Sequence, residues 1–153
     1  MIRNAEHKDL ITMLDIGKET LAKAPAYPVD FDEKKAAYMV RRCIADKNMC
    51  AFVSEVNGIV VGFILGIQEA HFFSQDWYAT DLTFCVDEQY LDQGVWLLRR
   101  FIRWCKANPK VKSITLGLSS GIDSHARVGK LYECHGLNNI GGLYHRNITK
   151  GSL

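Results

Sequence analysis

The chain has 153 residues, 48% of them hydrophobic and 24% charged, a balance that suits one globular domain with a real core and excludes long disorder. Lys and Arg number 19 against 17 Asp and Glu, and a net charge of +2 is too mild for the strongly basic face of a nucleic-acid binder. No apolar run approaches the roughly 18–20 residues that a membrane-spanning helix needs, so no membrane association is expected.

Ile2 to Ala5 reads as a short first strand. Lys8 to Lys23 reads as a helix, with Leu10, Ile11, Leu14 and Leu21 near helical spacing. Pro25 and Pro28 break it, because neither can continue a helical hydrogen-bond ladder. Asp30 or Asp32 can cap the next helix, which runs to about Ala45 with Ala36, Met39, Val40, Cys43 and Ile44 on one face. The pattern changes at Met49, and Cys50 to Val56 is strand-like. Asn57-Gly58 then signals a tight hairpin, since a type I′ turn needs positive φ at both positions. The return strand, Ile59 to Ile67, is apolar almost throughout, which implies helices on both faces of the sheet.

A loop containing His71 to Gln75 leads into a fourth strand, Tyr78 to Val86. A third helix begins near Gly94, with Leu91, Val95, Leu98, Ile102 and Cys105 as its expected core stripe and Arg99, Arg100, Arg103 and Lys106 outside, where a solvated surface is the plain reading. Asn108-Pro109 ends it, and Lys112 to Leu118 forms a fifth strand. Ser119-Ser120-Gly121 is a turn, Asp123 or Ser124 caps a last helix reaching His135, and Gly136 stands where a left-handed C-cap belongs. Two short closing strands are expected, near Asn139 and over Tyr144 to Ile148, followed by a frayed end. The result is a single domain over residues 1–153, an α+β layer arrangement around one mixed sheet of about seven strands.

The five cysteines include no Cys-x-x-Cys pair and sit in apolar or helical patterns, so they read as buried free thiols and not as disulfides or a metal site. Met1 to Glu6 has no signal-peptide apolar region, which makes the cytoplasm the expected compartment.

This order of elements, with two helices between the first two strands, resembles the GNAT N-acyltransferase family. Ile2-Arg3-Asn4-Ala5 followed by Asp9-Leu10 resembles that family's first strand and helix start. Val53 to Phe63 resembles its central strand pair, and Leu131-Tyr132-Glu133-Cys134-His135-Gly136-Leu137 resembles its last helix, with Leu137 where Phe is usual. Gly142-Leu143-Tyr144 resembles its closing strand. The family's pyrophosphate loop, [RQ]-x-x-G-x-[GA], lies between the fourth strand and third helix and corresponds here to Leu91-Asp92-Gln93-Gly94-Val95-Trp96. Gly94 alone fits that pattern. Leu91 replaces Arg or Gln, Trp96 replaces a small residue, and Asp92 places a carboxylate where it would repel a diphosphate or cap the helix in its stead. Arg99 and Arg100, one turn on, are candidates for the missing positive charge.

The resemblance implies acetyl transfer from acetyl-coenzyme A to a primary amine of a small molecule, peptide or protein, with no metal. It implies that main-chain groups of Phe84, Cys85 and Val86 hold the thioester and pantetheine, and that Tyr132 protonates the departing thiolate. A phenol suits that role because its ordinary pKa lies above a thiol's; the plain alternative for Tyr132 is a core residue with its hydroxyl at the surface. Asp81, on the fourth strand, stands where some members carry a general base, and by a period of two it would share a face with Thr83 and Cys85. Glu69 and His71 are alternative bases. The aromatic-rich loops Ala24 to Phe31 and His71 to Trp77 can line an acceptor pocket or form a dimer or partner surface. No acidic cluster is apparent that would recruit a polycation. The competing reading is a GNAT-fold binding or structural protein that has lost the reaction.

Overall fold

The computed structural model describes residues 1–118 and 125–148. One five-stranded sheet runs in chain order: β1 (Ile2–Asn4), β2 (Met49–Val56), β3 (Ile59–Ala70), β4 (Trp77–Val86) and β5 (Val111–Thr115). The first three junctions are antiparallel and the last is parallel. Four α-helices accompany them: α1 (Leu10–Ala22), α2 (Glu33–Ala45), α3 (Gln93–Ala107) and α4 (His125–Cys134). A single 3₁₀ turn, His7–Asp9, leads into α1 and a second, Glu88–Tyr90, precedes α3.

Among the described residues the sheet has five strands and not the expected seven. Residues 137–148 carry no regular secondary structure, and Ile140, Leu143, Tyr144 and Ile148 are almost wholly exposed. Strand-like composition forms a strand only when a neighbouring ladder accepts it. The expected turn at Ser119–Gly121, the caps at Asp123 or Ser124, and the last three residues lie outside the described residues.

Elsewhere the local signals are realised. Asn57 and Gly58 both adopt positive φ, 51° and 79°, as a type I′ turn demands. The Asp32 side chain accepts from the Lys35 amide at 3.0 Å and caps α2. Gly136 has φ 82°, and the amides of Leu137 and Gly136 donate to the carbonyls of Tyr132 and Glu133, a Schellman closure of α4.

The unbroken burial of Val60 to Gly66 reflects helices on both faces of β3. On one face Met13 of α1 and Val40 and Cys43 of α2 pack with Val53, Phe63, Leu65 and Cys85. On the other, Leu97, Phe101 and Cys105 of α3 pack with Cys50, Phe52, Ile64 and Ala79. The buried stripe of α3 is thus Gly94, Leu97, Leu98, Phe101 and Cys105. Of the expected stripe only Leu98 and Cys105 are buried, and Leu91 is exposed in the turn before the helix. Two adjacent rows on α3 both satisfy helical spacing, and the sheet takes the one carrying the larger ring, Phe101. Four of the five cysteines are buried free thiols, but Cys134 is exposed.

Three residues far apart in sequence lock the entry to the domain. The Arg3 guanidinium donates to both Asp9 oxygens at 2.7 and 2.9 Å and to Glu55 Oε2 at 2.6 and 2.8 Å. Asp9 also accepts from the Glu6 amide at 2.8 Å and is only 5% exposed. Its hydrogen bonds with Arg3 hold the carboxyl below the usual carboxylate range, against the opposing effect of burial.

Because the folded value is lowered, Asp9 contributes stability that is present above the ordinary carboxyl pKa of about 3.9 and is lost as pH falls through the folded value. Acid titration followed by circular dichroism should therefore show a shallower loss of stability below about pH 4 in Asp9→Asn than in the parent. A second expectation concerns Gly66, where an added Cβ would lie 2.4 Å from Phe101 Cε2 and 3.2 Å from the Thr80 carbonyl oxygen. Gly66→Ala should cost about 1–3 kcal/mol in a urea melt.

Candidate active site

The parallel ladder between β4 and β5 runs only from Trp77↔Val111 to Thr80↔Thr115. Beyond it the strands part, and no described strand pairs with Asp81 to Val86 on that side. The main-chain groups of Phe84, Cys85 and Val86 that face the cleft are therefore not consumed by a β5 ladder. Asp81 sits at the fork, where its Oδ1 accepts from the Gly117 amide at 3.4 Å.

A bulge shapes this strand. Leu65 pairs with Thr83 and Gly66 with Asp81, so Leu82 is the extra residue. Gly66 belongs to the face of Phe101 and α3, and Leu65 to the face of α1 and α2. Asp81 therefore lies on the α3 face, while Thr83 and Cys85 lie on the other, with Thr83 Oγ1 3.3 Å from Cys85 Sγ. The expected single face for Asp81, Thr83 and Cys85 does not exist, because the bulge resets the alternation. Phe84 and Val86 join the α3 core cluster, and Cys85 joins the opposite one. Burial raises the Cys85 thiol, which makes it inert packing and no nucleophile.

Tyr132 of α4 is buried, at 7% exposed. Burial, with the nearby Asp81 carboxylate adding to it, pushes its phenol above the ordinary range. Asp81 itself is raised by burial, opposed by the Gly117 amide. The two side chains sequence reasoning put forward for proton transfer are thus brought within electrostatic reach of each other. One tether holds the end of α4 to α3: Arg99 Nε donates to His135 Nε2 at 3.2 Å, while His135 Nδ1 faces the Leu131 carbonyl at 2.8 Å.

At the start of α3, Asp92 is already helical and its side chain caps nothing. It accepts instead from Gln93 Nε2 at 2.9 Å, and Gln93 Oε1 accepts from the buried Ser54 hydroxyl at 3.0 Å. The expectation of an Asp92 N-cap is corrected, because the preceding 3₁₀ turn brings the chain into the helix without an extended capping residue. Gly94 is buried beneath Val86 and Phe84, yet an added Cβ would meet them only at 3.7 and 3.8 Å. Leu91 and Trp96 point outward, at 39% and 52% exposure, and Arg99 stacks on the Trp96 ring at 5.0 Å. Val95 is half-buried. Arg100 lies over the Phe52 ring at 4.4 Å and donates to Asn4 Oδ1 at 3.3 Å. Trp96 therefore does not plug the helix start.

Glu69, opposite Tyr78, and His71, in the turn before β4, lie just upstream of the fork. Tyr78 Oη donates to the Glu69 carboxylate, and the His71 ring stacks on Phe73. The loop ending at Phe31 borders a separate hollow with Asp32, Lys34 and Arg41. Among the described residues no group of three or more His, Cys, Asp and Glu is placed to hold a metal ion, and no helix is long and apolar enough to cross a membrane.

No protein-family model matches the chain, and no curated protein matches it. Solved structures do. A "possible acetyltransferase" from Clostridium difficile 630 is 18% identical with a TM-score of 0.70, and 97% of each chain is covered. A "predicted acetyltransferase with acetyl-CoA" from Clostridium acetobutylicum is 14% identical with a TM-score of 0.72, covering 96% of this chain and 95% of that one. Glucosamine-6-phosphate N-acetyltransferase from Arabidopsis thaliana is 15% identical with a TM-score of 0.68, covering 97% and 98%. With a mixed sheet, four α-helices and a parted β4–β5 pair, the chain has the GNAT-like α+β fold that these acetyltransferases share.

Proposed function

We propose that the chain is an N-acetyltransferase that moves an acetyl group from acetyl-coenzyme A directly to a primary amine. The observation that carries this reading is the fork between β4 and β5, which leaves the Phe84–Val86 main chain open and sets Asp81 and Tyr132 near one another. The neighbour of like fold solved with acetyl-CoA supports the same cosubstrate.

The residues at hand fit that molecule at two places. The fork offers main-chain hydrogen-bonding groups to an extended pantetheine arm. The start of α3, Leu91 to Trp96, offers a helix N-terminus to a diphosphate. Acetyl-coenzyme A supplies an acetyl group activated as a thioester. In the transfer, the acceptor nitrogen bonds to the acetyl carbon as the carbon–sulfur bond breaks. Asp81, its carboxyl raised by burial, takes the proton from the acceptor ammonium, through a water where its short side chain does not reach. The Tyr132 hydroxyl, protonated at neutral pH, gives its proton to the leaving sulfur. The balance closes when the proton held at Asp81 returns to Tyr132 directly or through solvent, and the second proton that the nitrogen loses as the amide forms leaves to solvent, so one proton is released overall.

A second reading has its own support. The Gly94 and Val95 amides already donate to the carbonyls of Leu91 and Asp92, at 3.2 and 3.3 Å, and the Asp92 carboxylate stands beside them. Such a helix start is a weakened anion site, which favours a GNAT-fold binding or structural protein.

Calorimetric titration with acetyl-coenzyme A decides between them. Micromolar binding, with free thiol released once an amine is added, supports the enzyme. Absence of heat, and of any thermal shift at millimolar cosubstrate, overturns it. In the enzyme, Tyr132→Phe should lower turnover about 100-fold while leaving cosubstrate affinity nearly unchanged. Unaltered turnover would remove Tyr132 from the acid role.

A further inference from the structure

The turn joining β3 to β4 carries a group of side chains that the transfer chemistry leaves unused. The His71 ring lies 5.0 Å from Phe73 and 4.8 Å from Tyr78, centroid to centroid, and Phe72 meets Phe73 edge-on at 4.9 Å. The Glu69 carboxylate accepts the Tyr78 hydroxyl beside them. These side chains, with Thr80 and Thr115, border a hollow of about 500 Å³. Phe72 is 99% exposed and Phe73 71%, and neither belongs to a core cluster. Their rings gain little from the fold and keep a large apolar surface in water, an arrangement that a ligand would relieve.

The chemistry of the hollow selects its occupant. Aromatic faces carry negative quadrupole density and attract a cation. Glu69 adds a full negative charge, and among the described residues no Lys or Arg borders the hollow. An anion would be repelled. A neutral apolar ligand would cover the Glu69 carboxylate without satisfying it. An alkylated ammonium meets both features, its methyl or methylene groups on the rings and its charge toward Glu69.

Position links the hollow to the fork. Thr80 and Thr115 form the last paired register before the strands part, and Asp81 follows at once. Tyr78 stands three residues from Asp81, about 10 Å along a strand and on the opposite face by the period of two, so a ligand that reaches both passes around the open edge of β4. We propose that this hollow holds a second cationic group of the acceptor, so that the acceptor is a diamine whose far ammonium sits against Glu69, Phe73 and Tyr78 while its other amine reaches the fork. This inference rests on the acetyl-transfer reading for the identity of the reacting end. Recognition here uses aromatic rings with one carboxylate, which is why no acidic cluster accompanies it.

The test has two arms on the full chain. In the first, calorimetry compares choline with 3,3-dimethylbutan-1-ol, its uncharged isostere. Choline should bind at least about tenfold tighter, and Glu69→Gln and Phe73→Leu should each cut its affinity about tenfold, as loss of a charge partner or a cation–π face predicts. Equal binding, or no choline binding, overturns the pocket. In the second arm, acetylation of 1,7-diaminoheptane is compared with that of heptylamine. A kcat/KM ratio of at least about ten in favour of the diamine is expected, falling toward one in Glu69→Gln. Equal rates in the parent overturn the diamine assignment. Choline selectivity with neither amine acetylated upholds the cation pocket and sinks the acetyl-transfer reading instead. Thermal melts of both variants identify any loss that comes from misfolding, which is not expected of substitutions at these exposed positions.

Discussion

Backbone hydrogen bonding along β4 is the constraint on which everything else turns. Peptide groups in a sheet must find partners on both sides, or face water or a ligand. β4 is paired with β3 over its whole length but with β5 only at its first residues. The half beyond Thr80 is left with an open edge at a depth where an edge is unusual, since three strands lie on its other side. The proton-handling pair, the thioester subsite and the helix start near Gly94 are all arranged around that edge.

The rest of the molecule holds the edge open. α3 grips one face of the sheet through Leu97, Phe101 and Cys105, and Gly66 lets Phe101 approach β3 without a Cβ in the way. At the far end of α3 the buried Gln68 donates to the Trp104 carbonyl and accepts from Asn108. This helix is therefore pinned to the sheet at both ends, by Ser54 of β2 to Gln93 at its start and by Gln68 of β3 to Asn108 at its finish. α1 and α2 close the other face, and the Arg3–Asp9–Glu55 cluster ties the first strand, the first turn and β2 into one unit. Removing one member would strand a desolvated charge, which is why such clusters act as fasteners even when their net contribution is modest.

Local features were legible in the sequence because their causes are local. Asn57-Gly58 announced the hairpin through its own φ preferences, Asp32 its cap, and Gly136 the end of α4. Features that depend on a distant partner were not legible. The Arg3–Glu55 pair spans 52 residues and looks like two ordinary surface charges in the chain. The bulge at Leu82 exists only in register with Leu65 and Gly66, so simple alternation misplaced Asp81 relative to Thr83 and Cys85. The stripe on α3 was ambiguous between two neighbouring rows until the sheet chose one. The closing strands failed for the complementary reason: Ile140, Leu143, Tyr144 and Ile148 have strand-like composition, yet no described ladder receives them. Of the candidate site, Asp81 and Tyr132 lie within electrostatic reach of each other, whereas Asp92 does not cap. The aromatic group at His71 was visible only as a list of residues until the turn stacked it.

The extra residue at Leu82 has one more consequence. It acts as a phase break in the pleat, dividing β4 into two segments whose inside and outside are set separately. Each segment answers to its own surroundings, the upstream one to the hairpin turn and the downstream one to α3 and α1. A change of loop length at the hairpin can therefore be absorbed upstream of the break, leaving the orientation of Phe84, Cys85 and Val86 as it was. Such a strand gives a lineage, or a protein engineer, freedom to remodel one end of a binding surface while the other is inherited intact.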